Sequence, residues 1–282
     1  MSGATTWQRL RDDAAARTAG AVLGAVILAA LFAPWLAPFD PTVQPDPVSL
    51  RLLAPTPTHP MGTDAFSRDV LSRLLHGARI SLGVAAGAML LSVVLGTTLG
   101  ALAAVIGGWV DAVVSGLVDV LIAMPRLLVV IALVATFGAL SPGWLVLLIG
   151  GSGWLTTARI VRAEFRDHLQ RDYVLAARAL GASRRRIIWR HLLPAVAPQI
   201  GVAAALALAA VIPLEAALSF VGLGVQPPMP SWGNILMDGT DYLTTAWWLV
   251  VFPVTAIALT VGAALVLADR LRVAIAGGER TP

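Results

Sequence analysis

The sequence predicts an all-α, polytopic membrane protein with six transmembrane helices, and three observations carry that prediction. Hydrophobic residues make up 57% of the chain and charged residues only 13%, whereas an ordinary soluble domain is roughly a quarter charged. Mean hydropathy is +0.81. Uncharged stretches of 20 or more residues recur along the 282 residues, and about 20 apolar residues suffice to cross a bilayer as a helix.

Residues 1–18 read as a polar tail bearing Arg9, Arg11 and Arg17. Ala19–Pro38 follows without a charge. It exceeds the apolar core of a signal peptide and has no small-x-small cleavage site before Phe39, so it is expected to remain as the first span. Residues 39–79, with prolines at 41, 45, 47, 55, 57 and 60, read as an extramembrane loop. The second span is 80–106, where Gly83, Gly87, Ser92, Gly96 and Gly100 fall mostly four apart. That spacing lets helices approach closely, and packing within the chain is the favoured reading over a dimer seam. The third span is 112–137, and Ser141-Pro142-Gly143 turns the chain into a fourth at 144–158. A polar segment, 159–191, precedes the fifth span at 192–220. Residues 221–242 form a second Pro- and Gly-bearing loop, 243–268 the sixth span, and 269–282 a tail.

With six spans, both tails and 159–191 share one side. They carry three, three and nine arginines, against four in 39–79 and none in 221–242, so the positive-inside rule places both termini and 159–191 in the cytoplasm. Trp232, Trp247 and Trp248 fit an outer aromatic belt.

Composition excludes several chemistries. The chain has no cysteine and no lysine, so thiolate chemistry, thiolate metal sites and a phosphate-cradling P-loop are absent, and any ATP that drives the protein is bound by another chain. The motif Gly150-Gly151-Ser152-Gly153 invites an intramembrane serine protease reading. Its serine needs a base, and His59, His76, His168 and His191 all fall outside the predicted spans, too scattered for a metal set as well. Nothing points to nucleic-acid binding.

Asp119, Arg126 and Glu215 are charges within predicted spans, which are costly unless they face a cavity or one another. They are candidates for lining a path, with an interhelical role favoured over direct solute contact. Asp119 and Arg126, seven apart on one helix, stand about 10 Å apart along its axis, too far to pair easily.

The segment 159–191 is too ordered in pattern for a passive connector. Phe165, Leu169, Tyr173, Ala176 or Ala177, and Leu180 repeat at helical spacing against Arg166, Asp167, Arg171 and Arg178. A helix from about Arg166 to Leu180 is expected, with Gly181 as its left-handed cap. Ser183 is placed to cap a second helix, Arg184–Leu193, that ends as Pro194 re-enters the membrane. Arg184-Arg185-Arg186 at a helix start opposes the macrodipole, so either acidic lipid or an acidic partner lies opposite, or the triplet simply marks the cytoplasmic side.

The stretch Tyr173–Ser183, with Ile187–Pro194 after it, resembles the EAA loop of binding-protein-dependent ABC importer permeases. His59–Asp64 with Ser67–Arg73, Gly77–Leu82, and Leu218–Pro228 with Pro230–Gly233 narrow the resemblance to the C-type subunit of the dipeptide, oligopeptide and nickel permease family. It covers about residues 20–270. Two departures stand out: Leu175 replaces the glutamate that names the loop, and His191 replaces an isoleucine. The resemblance implies EAA-type coupling helices between spans four and five, with Tyr173, Ala176, Ala177, Gly181, Ser183 and Pro194 as the ATPase-coupling set. It also implies no cofactor on this chain, ATP and Mg used by two partner ATPase subunits or domains, a homologous B-type permease, an extracytoplasmic solute-binding protein, lipid contact, and a bacterial inner membrane location. The expected cargo is peptide, or a related small solute such as nickel. A self-sufficient secondary carrier, with inverted repeats and broken helices, is the other transport reading.

Overall fold

The computed structural model describes residues 6–137 and 141–279. Residues 1–5 and 280–282 of the predicted tails, and 138–140 between the third and fourth predicted spans, lie outside them. α1 (Thr6–Asp12) and α2 (Ala14–Leu31) meet at Asp13, whose carboxylate accepts the Ala16 N–H at 2.9 Å. α3 (Ala33–Leu36) adds one turn. After a long loop come α4 (Val70–Ile106), α5 (Gly108–Ile122), α6 (Arg126–Phe137), α7 (Pro142–Leu169), α8 (Asp172–Ala179) and α9 (Arg184–Ile187). A π-helical turn, Ile188–Leu192, leads into α10 (Leu193–Phe220), then α11 (Trp232–Gly239) and α12 (Trp248–Glu279). Five helices are long and apolar enough to cross a membrane, and α5 with α6 makes a sixth crossing if the bent pair counts as one.

The first predicted span, 19–38, is found as α2 followed by α3, and the sixth, 243–268, begins only at Trp248 and continues to Glu279 as α12. Three further boundaries differ from the sequence reading, each for a physical reason. The loop at 39–79 ends at Asp69, which caps α4 by accepting the Ser72 N–H at 2.8 Å. At 1.5 Å per residue α4 is about 55 Å long, well beyond a hydrocarbon core of about 30 Å, so its first turns are helix outside the apolar band. The fourth span likewise continues past residue 158 to Leu169. Nothing in Trp154–Leu169 breaks a helix, and hydropathy registers the edge of the membrane, not the end of the helix. The third span is not one rod. Pro125 has no N–H to donate and disfavours helical geometry at Met124, and α5 and α6 meet there at 90°.

The centre of the bundle is the seam between α4 and α7, which run in the same direction. Gly87 lies against Val146, Gly96 against Trp154 and Thr157, and Gly100 against Ala158. A Cβ on Gly100 would stand 2.5 Å from the Ala158 carbonyl oxygen, and one on Gly96 2.7 Å from that of Trp154. Ser92 Oγ donates to the Gly150 carbonyl at 2.9 Å. Gly87, Ser92, Gly96 and Gly100 therefore serve packing within the chain, while Gly83 does not. Around the seam, Ala85, Ala88, Val130, Leu145, Ile149, Ile212 and Leu218 form the main core. At one end of the bundle Arg270 of α12 reaches Asp13 at 3.7 Å, bringing the start of α2 beside the end of α12. α8 and α9 lie at that same end, and α11 at the other.

Gly100→Ala should destabilise the protein by about 1–3 kcal/mol, the usual range for overpacking. Gly83→Ala, where a Cβ meets nothing within 4 Å, should be neutral or slightly stabilising. Thermal unfolding of the two variants in detergent micelles checks this, and equal midpoints would contradict the seam.

Candidate functional site

The strongest candidate is the helix–turn–helix of α8 and α9. The Ala182 N–H donates to the Ala177 carbonyl at 3.0 Å and the Gly181 N–H to Arg178 at 2.9 Å. Gly181 has φ +80°. Those two bonds and the left-handed glycine make a Schellman cap, as the position of Gly181 predicted. Ser183 Oγ accepts the Arg186 N–H at 3.3 Å and starts α9. The underside is apolar: Val174, Ile187 and Leu192 are buried with Val161 and Phe165 of α7 and Val196 of α10. The helix pair is thus fixed to the bundle on one side and open on the other.

Helical phase is the main correction here. The expected helix from Arg166 to Leu180 is divided, because α7 stops at Leu169 and two tight turns at Gln170 and Arg171 restart the chain as α8. Val174 therefore takes the buried position. Tyr173 and Leu180, expected on the buried face, are exposed, Leu180 at 89%. Ala176 is exposed and Ala177 half-buried. Tyr173 Oη lies 2.9 Å from His168 Nδ1. Partial burial, with Asp167 nearby, pushes its phenol above the usual range against the opposing pull of Arg171. The second helix also differs from expectation. The π turn precedes Pro194, which occupies the first turn of α10, so the chain enters the bundle as continuous helix. A π turn widens the ring and accommodates a residue that cannot donate.

Leu175, Leu180 and Trp189 project from the open side, 48%, 89% and 64% exposed. Arg185, Arg186 and Arg190 lie beside Trp189, and they and Arg184 are all exposed. A groove of about 320 Å³ runs beneath, lined by Val105, Leu169, Arg178, Arg184 and Ile187 among others. The end of α7 is braced from α5: Asp111 accepts from Arg162 Nη2 at 2.8 Å and Arg166 Nη2 at 2.5 Å.

The three predicted intramembrane charges are not brought together. Asp119 pairs with Arg159 at 2.6 Å on an exposed face. Arg126 donates from Nη2 to the Ile149 carbonyl at 2.7 Å and from Nε to Ser152 Oγ at 3.4 Å. Glu215 is buried at 1% exposure and accepts from Ser81 Oγ at 2.8 Å and Ser219 Oγ at 2.7 Å. Those serines in turn accept the backbone N–H groups of Trp232 and Val225. Ser152 donates to Ile149 and faces Arg126, and neither is a base, so the protease reading finds no dyad.

A second polar site, at the α11 end, escaped the sequence reading. Arg68 pairs with Asp64 at 2.7 Å and with Asp238 at 2.9 Å, and Arg73 joins both aspartates. His59 Nδ1 lies 2.9 Å from Asp69. The signal was present as Asp64/Arg68 and Asp69/Arg73, each four apart. The partner Asp238 lies over 160 residues away and no spacing rule finds it. Trp232 and Trp248, expected in an aromatic belt, are instead internal, donating to the carbonyls of Leu74 at 3.2 Å and Thr63 at 3.0 Å. Trp247 remains exposed.

Sequence comparison accounts for this architecture. The family described as "Binding-protein-dependent transport system inner membrane component" matches residues 96–280. The chain belongs to that family. Residues 3–55 match the "N-terminal TM domain of oligopeptide transport permease C", which makes it a C-type permease of an ABC importer. The di/tripeptide transport system permease DppC of Pseudomonas aeruginosa (strain UCBPP-PA14) is 38% identical over 89% of this chain and 84% of its own length. The oligopeptide transport system permease OppC of Haemophilus influenzae is 35% identical over 99% and 91%. The glutathione transport system permease GsiD of Pectobacterium atrosepticum is 36% identical over 95% and 89%. Among solved structures, an inward-facing MetNI methionine ABC transporter chain aligns with a TM-score of 0.57 at 20% identity, covering 71% of this chain and 95% of that one. That likeness establishes the permease fold.

Arg73→Met should cost up to about 3 kcal/mol, because it leaves Asp64, at 0% exposure, with a single cation. Arg171→Met, in an exposed pair with Asp167 at 2.6 Å, should cost less than about 1 kcal/mol. Unfolding of both in the same detergent separates them, and comparable losses would argue against a structural role for the buried network.

Proposed function

We propose that this permease carries peptides inward across a bacterial inner membrane as one half of a translocation path. A homologous B-type permease forms the other half. Two cytoplasmic ATPase subunits or domains that use ATP and Mg supply the energy, and an extracytoplasmic binding protein delivers the solute at the α11 end. The cargo assignment is supported by relatives named for di/tripeptide, oligopeptide and glutathione transport. In this reading the α8–α9 end is cytoplasmic, consistent with its arginines.

The observation that carries the proposal is a short, capped helix pair with a buried underside and an open side on which Leu175, Leu180 and Trp189 are exposed, with Arg185, Arg186 and Arg190 beside Trp189. A flexible loop would absorb a push. A pair locked by Gly181 and Ser183 and packed on α7 and α10 passes it on. Leu175 in place of the motif glutamate makes the proposed ATPase contact one of shape and apolar area, with the arginines supplying attraction to an acidic rim. Tyr173, Ala176, Ala177, Gly181, Ser183 and Pro194 are the proposed coupling residues. Tyr173 fixes α8 to α7, the two alanines keep the α8 surface low enough for close approach, and Pro194 sets the entry of α10. Of the intramembrane charges, Glu215 and Asp119 are proposed to hold helices together, which leaves Arg126 for the path. A secondary carrier also uses broken helices, and the α5–α6 break is the one feature in its favour.

The deciding experiment reconstitutes this chain with its partner permease, ATPases and binding protein in proteoliposomes. Gly181→Pro removes the N–H that bonds to Arg178 and cannot adopt φ +80°. It should abolish binding-protein-stimulated ATP hydrolysis and uptake together while the complex still assembles. Gly181→Ala, which meets no neighbour but carries about 1–2 kcal/mol of left-handed strain, should lose only part of both. Unchanged stimulation in Gly181→Pro, or uptake driven by an ion gradient without ATPases, would overturn the reading.

A further inference from the structure

Arg126 is a fixed cation near the middle of the membrane, and no described residue of this chain neutralises it. Its depth follows from its partners. Arg126 donates to the carbonyl of Ile149, and the neighbouring Gly150 carbonyl accepts from Ser92. Ser92 lies one residue from the midpoint of the uncharged run Ile80–Ile106. The headgroups are therefore about 15 Å away, half the hydrocarbon thickness. The guanidinium does not reach toward them, because Nη2 and Nε are bonded to α7. A Cβ on Gly153 would stand 2.8 Å from Nη2, so α7 is cut back where the guanidinium lies.

No described carboxylate pairs with Arg126. The nearest along the chain, Asp119, is taken by Arg159 at 2.6 Å, and the buried carboxylate Glu215 is held by Ser81 and Ser219. α6 begins at Arg126, so the helix dipole adds positive potential where a cation already sits. Nη1 makes no hydrogen bond to any described residue. A charge with spare donors in hydrocarbon is expensive and is found facing a cavity or a partner. The face around it is open, since the flanking Met124, Leu127 and Leu128 are exposed at 51%, 40% and 60%.

We propose that Arg126 is an anion-binding residue of the translocation path that receives the carboxylate of the solute as it crosses the midplane, with Nη1 as the free donor. The proposal rests on the importer reading above. It assigns this permease a preference for cargo with a free carboxylate, imposed at the 90° break between α5 and α6 and separate from any preference of the binding protein.

The test measures uptake by the complete reconstituted importer of two peptides of one sequence, one with a free C-terminal carboxylate and one amidated, both shown by titration to load the binding protein. Wild type is compared with Arg126→Gln and Arg126→Lys, with complex yield as the assembly control. Because each preparation uses the same binding protein, the ratio of acid to amide uptake isolates the permease. Arg126→Gln should lower that ratio about tenfold, through a higher KM for the acid with amide uptake little changed, and Arg126→Lys should restore part of it. Equal losses for both peptides, or loss of assembly in Arg126→Gln and Arg126→Lys alike, would mean that Arg126 only joins α6 to α7 or meets a carboxylate of the partner permease, and would overturn the proposal. An unchanged ratio would overturn it too. Failure of the wild type to take up either peptide with ATP would remove the importer reading itself, and this proposal with it.

Discussion

The approach of α4 to α7 is the constraint on which the rest of the molecule depends. Glycines at 96 and 100 bring the α4 backbone against carbonyls of α7, a separation that any side chain would prevent. Lipid offers no hydrophobic drive for helix association, so close backbone contact and the Ser92 hydrogen bond supply the attraction. Both helices outrun the bilayer, and in opposite senses. α4 begins well outside it at the α11 end, where Arg73 enters the buried ion network. α7 leaves it at the other end, where Val161 and Phe165 hold α8 and α9. One seam thus joins the two surfaces that stand outside the membrane.

The α11 end solves a different problem, that of holding irregular backbone near the membrane. Residues 221–231 are not helical, and their amides need acceptors, since an unpaired buried N–H costs about as much as a lost hydrogen bond. Glu215 organises the answer. Two serine hydroxyls donate to its carboxylate, and each serine then accepts a backbone N–H, from Val225 in one case and Trp232 in the other. A side chain read from sequence as a path-lining candidate is, in this chain, the centre of a relay tying α4, α10 and α11 together. Gly233 permits it, because a Cβ there would lie 2.4 Å from the Ala216 carbonyl.

Spacing between neighbours in the chain makes several features legible, whereas local breaks and contacts between distant residues are not read from it. The contacts of Gly87, Gly96 and Gly100 on α4 and the Gly181 cap are local, and each is found where its spacing put it. The helix ends were misjudged because charge marks the membrane boundary while helices such as α7 run on into water. The break at Pro125 was written in the sequence, yet the apolar residues on both sides read as one span. The phase of α8 was lost in two turns at Gln170 and Arg171. Asp238, Trp232 and Trp248 found their roles through partners more than 150 residues away, and no periodicity carries such a pairing.

The placement of rigid and open parts gives the proposed transport cycle a physical form. α10 is anchored at both ends, by Leu192 and Val196 in the lower apolar cluster and by Glu215 and Ser219 in the upper relay. α7 is anchored by its seam to α4 and by Asp111 near its end. In the proposed cycle a displacement of α8 and α9 would be shared by α7 and α10 and carried by α4 to the α11 end. The α5–α6 pair is different. It bends at 90° and presents most of its surface outward. Among the described residues, and apart from the Asp111 and Asp119 pairs, its polar tether to the bundle is the Arg126 guanidinium on α7. Motion of the stiff frame relative to this element would change what Arg126 faces, and a mid-membrane cation is where such a change acts most strongly on a charged solute, because there the electrostatic interaction is least screened.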